Sequence, residues 1–388
     1  MRDGQENPAA RNILVCDTTL RDGEQTCGVA FRVEEKVRIA RLLDEMGVDC
    51  IDAGFPASSQ ADQEAVRGIT ALGLRARVVA FCRPNRAEID LARSCGANAV
   101  YTFVPTSDVH MRVKFGGDGS EVRERLKREM ADGVAYAKSL GMFVGCGSED
   151  ATRTPYDYLE EVLVLAQESG ADLVGVADTV GSSTPDDFRT LVSRLRARIS
   201  VLLSLHCHND FGLATANTVA GILGGADEVQ CTVNGIGERA GNASLEEVTV
   251  ALTQLYGFSA NVDLSRLKPM SDLIAGLSRI EVSPMKPIVG GNAFSHESGL
   301  HVSSVMRDPT AYEPLRPELV GHTRRIVIGK HSGKSIVSHV LDAHGLSYDD
   351  GVLGEVLREV KRVAVLTKSS VTEAQMVGIY HERIANPV

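Results

Sequence analysis

The sequence predicts an α/β chain: a (β/α)8 TIM barrel followed by a smaller, mainly helical C-terminal region. Three observations carry this. Eight short apolar or β-branched runs recur before about residue 256, and longer amphipathic segments separate them. Beyond about residue 258 the alternation stops. Near-continuous apolar strands alternating with helices imply a parallel sheet covered on both faces, and eight such units suggest closure into a barrel.

The predicted strands are Ile13–Asp17, Cys50–Phe55, Ala76–Cys82, Ala99–Val104, Met142–Gly147, Leu173–Ala177, Leu202–His206 and Glu228–Val233. Helical patterns between them include Val33–Met46, Gln60–Leu72 and Glu121–Leu140. An open doubly wound sheet would carry a Gly-rich turn after the first strand. Here that turn is Asp17-Thr18-Thr19-Leu20-Arg21-Asp22-Gly23-Glu24-Gln25, which is polar and charged. A catalytic barrel over residues 1–260 and a C-terminal region over 261–388 follow. Pro284, Pro287, Gly290, Gly291, Pro309, Pro314 and Pro317 fall in the first part of that region. This part is expected to be too irregular for a core of its own, and a helical tail follows it.

The chain has 388 residues, 43% hydrophobic and 24% charged, with net charge −10. Such a balance describes a well-packed globular protein and disfavours nucleic acid as a partner. No apolar run approaches the roughly 20 residues of a membrane helix. The first twelve residues are polar and lack a signal-peptide core, so a cytoplasmic location is expected. The eight cysteines form no CxxC pair and are expected to be reduced, mostly buried thiols.

His206-Cys207-His208-Asn209-Asp210 is the strongest local signal. Residues i and i+2 of a strand face one side, so His206 and His208 project together at the C-terminal end of the seventh strand. Barrel enzymes keep their active sites at that end, and two imidazoles make half of a divalent-metal site. Asp17 and Asp22, after the first strand, are hard-oxygen candidates at the same face, and Arg21 could stabilise an oxyanion. The third cluster, Asn234 to Asn242, reads GxGxxxG and follows the last strand, which argues against a dinucleotide site. Strands one, seven and eight adjoin in a closed barrel, so these three loops can converge on one ion. Gly329-Lys330-His331-Ser332-Gly333-Lys334-Ser335 falls one residue short of a phosphate-binding P-loop and lies outside the barrel.

Together these stretches resemble the DRE-TIM metallolyase superfamily, in its Claisen-condensing branch of homocitrate and 2-isopropylmalate synthases. The matching pieces are DTTLRDGEQ (17–25), AGFPASS (53–59), SEDATRT (148–154), VADTVG (176–181), HCHNDFGLATAN (206–217), NGIGERAGNASLEE (234–247), NAFSHESGLHV (292–302), AYEPLRPELVG (311–321) and IGKHSGK (328–334). The resemblance implies that Asp22, rather than Asp17, ligates a divalent ion with His206 and His208, with Asn242 as ligand or near-ligand. It implies a catalytic role for Arg21 and substrate contact through Thr179. It assigns proton transfer and positioning to His301 and Tyr312, and makes Glu238 a catalytic and Gln25 a substrate-binding member of the pocket. It also implies acetyl-CoA as co-substrate, and a homodimer whose exchanged C-terminal region serves as a lid. The ligand chemistry leaves Mg²⁺, Mn²⁺ and Zn²⁺ open.

Within the branch, the expected reaction is condensation of acetyl-CoA with 2-oxoglutarate to homocitrate. The motives are HNDFGLATAN and the apparent lack of the leucine-sensing domain of full-length 2-isopropylmalate synthases. A 2-isopropylmalate synthase using 2-oxoisovalerate, or a related alkylmalate or phosphonomethylmalate synthase, is the alternative. Lysine-pathway homocitrate synthases typically carry an arginine shortly before SED, where this chain has Val144-Gly145-Cys146-Gly147; the nitrogen-fixation type, which the chain resembles in length, also lacks it, so the departure does not exclude 2-oxoglutarate. The chain also has Asp52 where the family commonly has Glu. A carbon–carbon lyase of the hydroxymethylglutaryl-CoA type is disfavoured because those enzymes carry a cysteine-bearing loop in place of GERAGN. A catalytically silent scaffold would be free to lose Arg21, Asp22 or a histidine, and all are present.

Overall fold

The computed structural model of the protein describes residues 11–385; the start of the polar N-terminal stretch lies outside them. Eight parallel strands close into a barrel in sequence order. They are β1 (Leu14–Asp17), β2 (Cys50–Asp52), β3 (Arg77–Cys82), β4 (Ala99–Pro105), β5 (Phe143–Glu149), β6 (Leu173–Asp178), β7 (Leu202–Cys207) and β8 (Glu228–Cys231). The seam is the pairing of Leu14 to Asp17 with Glu228 to Cys231. Helices α1 (Val33–Met46), α2 (Gln60–Thr70), α3 (Arg86–Ser94), α4 (Asp108–Phe115), α5 (Ser120–Ser139), α6 (Tyr156–Glu168), α7 (Pro185–Arg196), α8 (Ala214–Leu223) and α9 (Leu245–Val250) surround it. The strands are apolar almost throughout because the helices cover one face while the barrel interior takes the other. Ile13, Ile39, Leu43, Ile51, Ile69 and Ile89 are wholly buried.

Several strand ends differ from the sequence reading, most by one residue; β2 stops at Asp52 rather than Phe55, and β8 and β5 differ for local reasons. β8 stops at Cys231 because Val233–Gly235 forms a tight turn with Asn234 at φ 63°. β5 runs on to Glu149, which pairs with Pro105; this polar end looked like loop in the sequence. The unit boundary also moves. Helix α10 (Leu267–Ser278) stays with the barrel, where Asn234 Nδ2 donates to the Ser271 carbonyl (2.9 Å). The two compact units therefore divide between Glu281 and Val282 rather than at 260.

The second unit contains the short parallel pair β9 (Ser295–His296) and β10 (Arg325–Ile326), with α11 (Gly299–Val305), α12 (Lys334–Ala343), α13 (Asp350–Thr367) and α14 (Glu373–Ala385). Contrary to expectation, its Pro/Gly-rich part does join a core. Val302 and Ile328 pack with Ile336, Val337, Val356 and Val360 from the helical tail. The P-loop-like segment is structural here: a Cβ on Gly299 would lie 2.8 Å from Gly333 Cα, so two glycines permit this backbone approach. Among the described residues no helix is long and apolar enough to cross a membrane. All eight cysteines are free thiols, and only Cys27 is exposed.

Candidate metal centre

Parity along β7 places both histidines as expected. His206 is the penultimate strand residue, and His208 follows the strand with its N–H donating to Asp178 O (3.2 Å). Their Nε2 atoms are 3.2 Å apart, and His206 Nε2 is 3.3 Å from Asp22 Oδ2. One ligand atom from each of Asp22, His206 and His208 lies within 4.8 Å of the others. Adjacent ligands on an ion with bonds of about 2.1 Å lie about 3 Å apart, so this spacing fits a shared divalent ion.

Asn242 supports the carboxylate from behind. Its Nδ2 donates to Asp22 Oδ1 (2.8 Å) and to Ile236 O (3.1 Å), and its buried Oδ1 has no partner. That orphaned acceptor is a second feature consistent with an ion. The GxGxxxG pattern builds this loop. Gly241 has φ 91°, and a Cβ there would lie 2.0 Å from Gly235 O, so only glycine makes the turn that delivers Asn242. Asp17, the other oxygen candidate, is spent elsewhere: its carboxylate accepts from Thr19 N (2.9 Å) and Thr19 Oγ1 (3.0 Å).

Arg21 Nε donates to Asp52 Oδ2 (2.6 Å), and Nη1 donates to Asp22 Oδ2 (2.8 Å). Its guanidinium lies 4.4 Å over the Phe81 ring. Burial opposes its charge, but Asp52 and Asp22 outweigh that and raise its pKa. Burial likewise opposes Asp22 ionisation, yet Arg21 and His206 hold it well below the usual carboxylate range. Burial, and then His206, push His208 down to about 4, which keeps a neutral imidazole with a lone pair to donate.

These groups line an open cavity of about 900 Å³ together with Gln25, Thr179 and Glu238, so most of the predicted barrel residues do meet. Gln25 and Glu238 are exposed parts of its wall. Thr179 Oγ1 accepts from Asp150 N (2.9 Å), and Thr179 O accepts from Arg239 Nη2 (2.7 Å). Arg239 also grips Asp210 through Nε (2.7 Å) and Nη2 (3.0 Å). His301 and Tyr312 belong to the second unit, where both are exposed and their rings stack with centroids 4.0 Å apart.

The sequence reading assigned no role to several lining residues, among them three aromatic ones and an ion pair. Phe81, Tyr101 and Phe103 form an aromatic wall, with centroids 6.0 Å apart for Phe81–Tyr101 and 4.8 Å for Phe81–Phe103. They read as ordinary strand core, and only their inward parity could have marked them. Glu149 and Lys114 were also missed; Lys114 Nζ donates to both Glu149 oxygens (2.7 Å each), and His110 Nδ1 is 3.3 Å from Glu149 Oε1. Glu149 lay in view within SEDATRT.

A barrel with a His-His-Asp cluster at the C-terminal ends of β7 and β1 defines a class of metal-binding barrel enzyme. The chain belongs to the HMGL-like family, which residues 12–274 match, and residues 288–368 match the homocitrate synthase post-HMGL domain-like family. It is an acyltransferase-type enzyme of the DRE-TIM group. Two similar proteins come from Methanopyrus kandleri. One is a putative (R)-citramalate synthase, 47% identical over 97% of this chain and 73% of its own length. The other is a homocitrate synthase, 45% identical over 90% of this chain and 87% of its own. A solved hydroxymethylglutaryl-CoA lyase from Pseudomonas aeruginosa shares the fold: TM-score 0.61 and 20% identity over 70% of this chain and 95% of that one.

Proposed function

We propose that the protein condenses acetyl-CoA with a 2-oxo acid at the Asp22–His206–His208 centre and then hydrolyses the thioester, releasing CoA and a 2-alkylmalate. The convergence of these three ligand atoms beside Arg21 carries the reading. A divalent ion held there would chelate the acid through its C1 carboxylate and C2 carbonyl oxygens and polarise the carbonyl. Arg21 stabilises negative charge growing on the C2 oxygen. Its Nε and Nη1 are fixed by Asp52 and Asp22, while Nη2 makes no hydrogen bond among the described residues. Such a preorganised donor is worth roughly 10²–10³ in rate. Glu149, held by Lys114 and His110 on the wall of the same cavity, is our candidate for moving the acetyl methyl proton. His301 and Tyr312 act on the same proton steps from an exchanged C-terminal region in a homodimer. Mixing and refolding His208→Ala with His301→Ala protein should then restore part of the lost activity. Proven hybrid dimers without any recovery would oppose the exchange.

The cavity supports a short, uncharged side chain on the acid better than the second carboxylate of 2-oxoglutarate. Before Ser148-Glu149-Asp150, where an arginine would hold that carboxylate, stand Gly145 and Gly147. Of the other cations lining the cavity, Lys114 is paired with Glu149 and Arg239 with Asp210. Pyruvate and 2-oxoisovalerate meet the aromatic wall at no such electrostatic cost. CoA release by metal-loaded enzyme, measured with pyruvate, 2-oxoisovalerate, 2-oxoglutarate and phosphonopyruvate, tests this. The highest kcat/KM is expected for a neutral side chain, and a clear preference for either anionic side chain would overturn it.

A further inference from the structure

We propose that Tyr101 sets the maximum length of the side chain on the 2-oxo acid, closing the substrate cavity against a second cavity deeper in the barrel. The inference rests on the condensation reading for its substrate class, but its geometry stands apart from the metal. Tyr101 lines the cavity that holds the Asp22–His206–His208 cluster and also a smaller one beneath it, where Val79, Val100 and Leu173 share the wall with Asp52, Arg77 and Glu228. Among the aromatic residues of the upper wall, Tyr101 alone lines both.

The ring occupies this position because three neighbouring inward positions carry no side chain. A Cβ on Gly145 would lie 2.6 Å from Tyr101 Cδ2, and one on Gly147 would lie 2.5 Å from the hydroxyl. On Gly175 the distance to the hydroxyl would be 1.8 Å. Gly147 and Gly175 are register partners on β5 and β6, so the phenol lies across a strip of bare backbone. Glycine inside a strand weakens it and commonly marks a site of close approach. Here the approaching group is the ring of Tyr101. Gln230 lines both cavities beside it and donates to Ser204 Oγ (3.2 Å), and stacking on Phe81 fixes the plane of the ring.

Shortening this side chain would join the two cavities along the face that Val79, Val100 and Leu173 supply, with Asp52, Arg77 and Glu228 also on the lower wall. A longer alkyl chain could then extend downward without disturbing Arg21 or the metal ligands. A hydrophobic pocket discriminates roughly 10-fold or more per methylene that does not fit.

The test compares wild type with Tyr101→Ala, Tyr101→Leu and Tyr101→Phe. CoA release is measured with metal-loaded enzyme, acetyl-CoA and the series pyruvate, 2-oxobutyrate, 2-oxovalerate and 2-oxohexanoate. Wild type is expected to lose kcat/KM steeply as the chain lengthens. Tyr101→Ala should raise the 2-oxohexanoate to pyruvate ratio at least 10-fold, and Tyr101→Leu should raise it less. Tyr101→Phe keeps the ring and should keep the wild-type profile. A folded Tyr101→Leu or Tyr101→Ala enzyme with an unchanged chain-length profile would overturn the proposal. So would a Tyr101→Phe profile that matches Tyr101→Ala, because the hydroxyl rather than the ring would then be responsible. If wild type turns over none of these acids, the neutral-side-chain reading fails on its own, and the condensation reading fails only if 2-oxoglutarate and phosphonopyruvate are inert as well. Calorimetric binding of the same acids to metal-loaded protein then decides the cavity question, with 2-oxohexanoate expected to bind Tyr101→Ala at least 10-fold more tightly than wild type. Equal binding would overturn the proposal.

Discussion

Asp22 at the mouth of the barrel and Glu228 at its base are both buried carboxylic acids, yet their environments drive them in opposite directions. Arg21 and His206 offset the burial of Asp22 and hold it well below the usual carboxylate range. Burial raises Glu228 to about 7, and its hydrogen bond from Ser204 Oγ (2.7 Å) only partly opposes that. Burial disfavours the charged form of each, and the neighbouring cation decides the outcome. One end of the barrel interior therefore keeps an anion ready to bind a cation. The other end holds an acid that is mainly neutral only below about pH 7.

The largest effect should come from breaking the mouth. His208→Ala is expected to lose bound metal and to reduce kcat/KM by about three orders of magnitude or more while far-UV circular dichroism is unchanged. Such losses accompany removal of groups that act as a unit. Full metal occupancy in this variant would remove His208 from the ligand set.

Arg21→Lys sharpens the comparison by keeping the charge beside Asp22 and removing the planar fork that also reaches Asp52. We expect kcat to fall roughly 10²–10³-fold with near-normal metal content. Metal analysis and steady-state kinetics on the same sample separate the two, and an unchanged kcat would sink the role.

Glu228→Gln probes the base. A glutamic acid raised from its ordinary value to about 7 contributes stability that is complete below about pH 4.5 and is lost as pH rises through about 7. Glutamine stays neutral throughout, so the stability of the variant relative to wild type should climb over that window. The gain should level off at no more than ~3 kcal/mol. Urea midpoints at pH 5 and pH 7.5 measure it, and a difference that shrinks with rising pH would contradict the sign.

The mouth was far more legible in the sequence than the base or the wall. His206 and His208 stand two apart at a strand end, and Asp22 and Asn242 fall in polar loops that no apolar core requires. Closure of the barrel then brings β1, β7 and β8 together, so topology alone predicts their meeting. Phe81, Tyr101 and Phe103 gave no such signal, because an inward aromatic residue on a strand looks like any core residue. Gly145, Gly147 and Gly175 are visible only as missing side chains, and their meaning depends on a ring that arrives from β4. Motif resemblance pointed to 2-oxoglutarate, whereas the pairing of Lys114 with Glu149 and of Arg239 with Asp210, which motivates the proposed neutral side chain, is visible only in the structure. The core of the second unit was hidden differently: Val302 and Ile328 lie in Pro/Gly-rich sequence and are buried by helices that come later in the chain.

Paired metal analysis and acetyl-CoA-dependent CoA release on wild type and Asp22→Asn test the central claim most directly. The amide preserves size but removes the anion that Arg21 and His206 hold. Wild type should carry one divalent ion per chain and release CoA only when a 2-oxo acid is present, and Asp22→Asn should lose both properties while remaining folded. An Asp22→Asn protein that retains its ion and its CoA release would show that the chemistry does not depend on this centre.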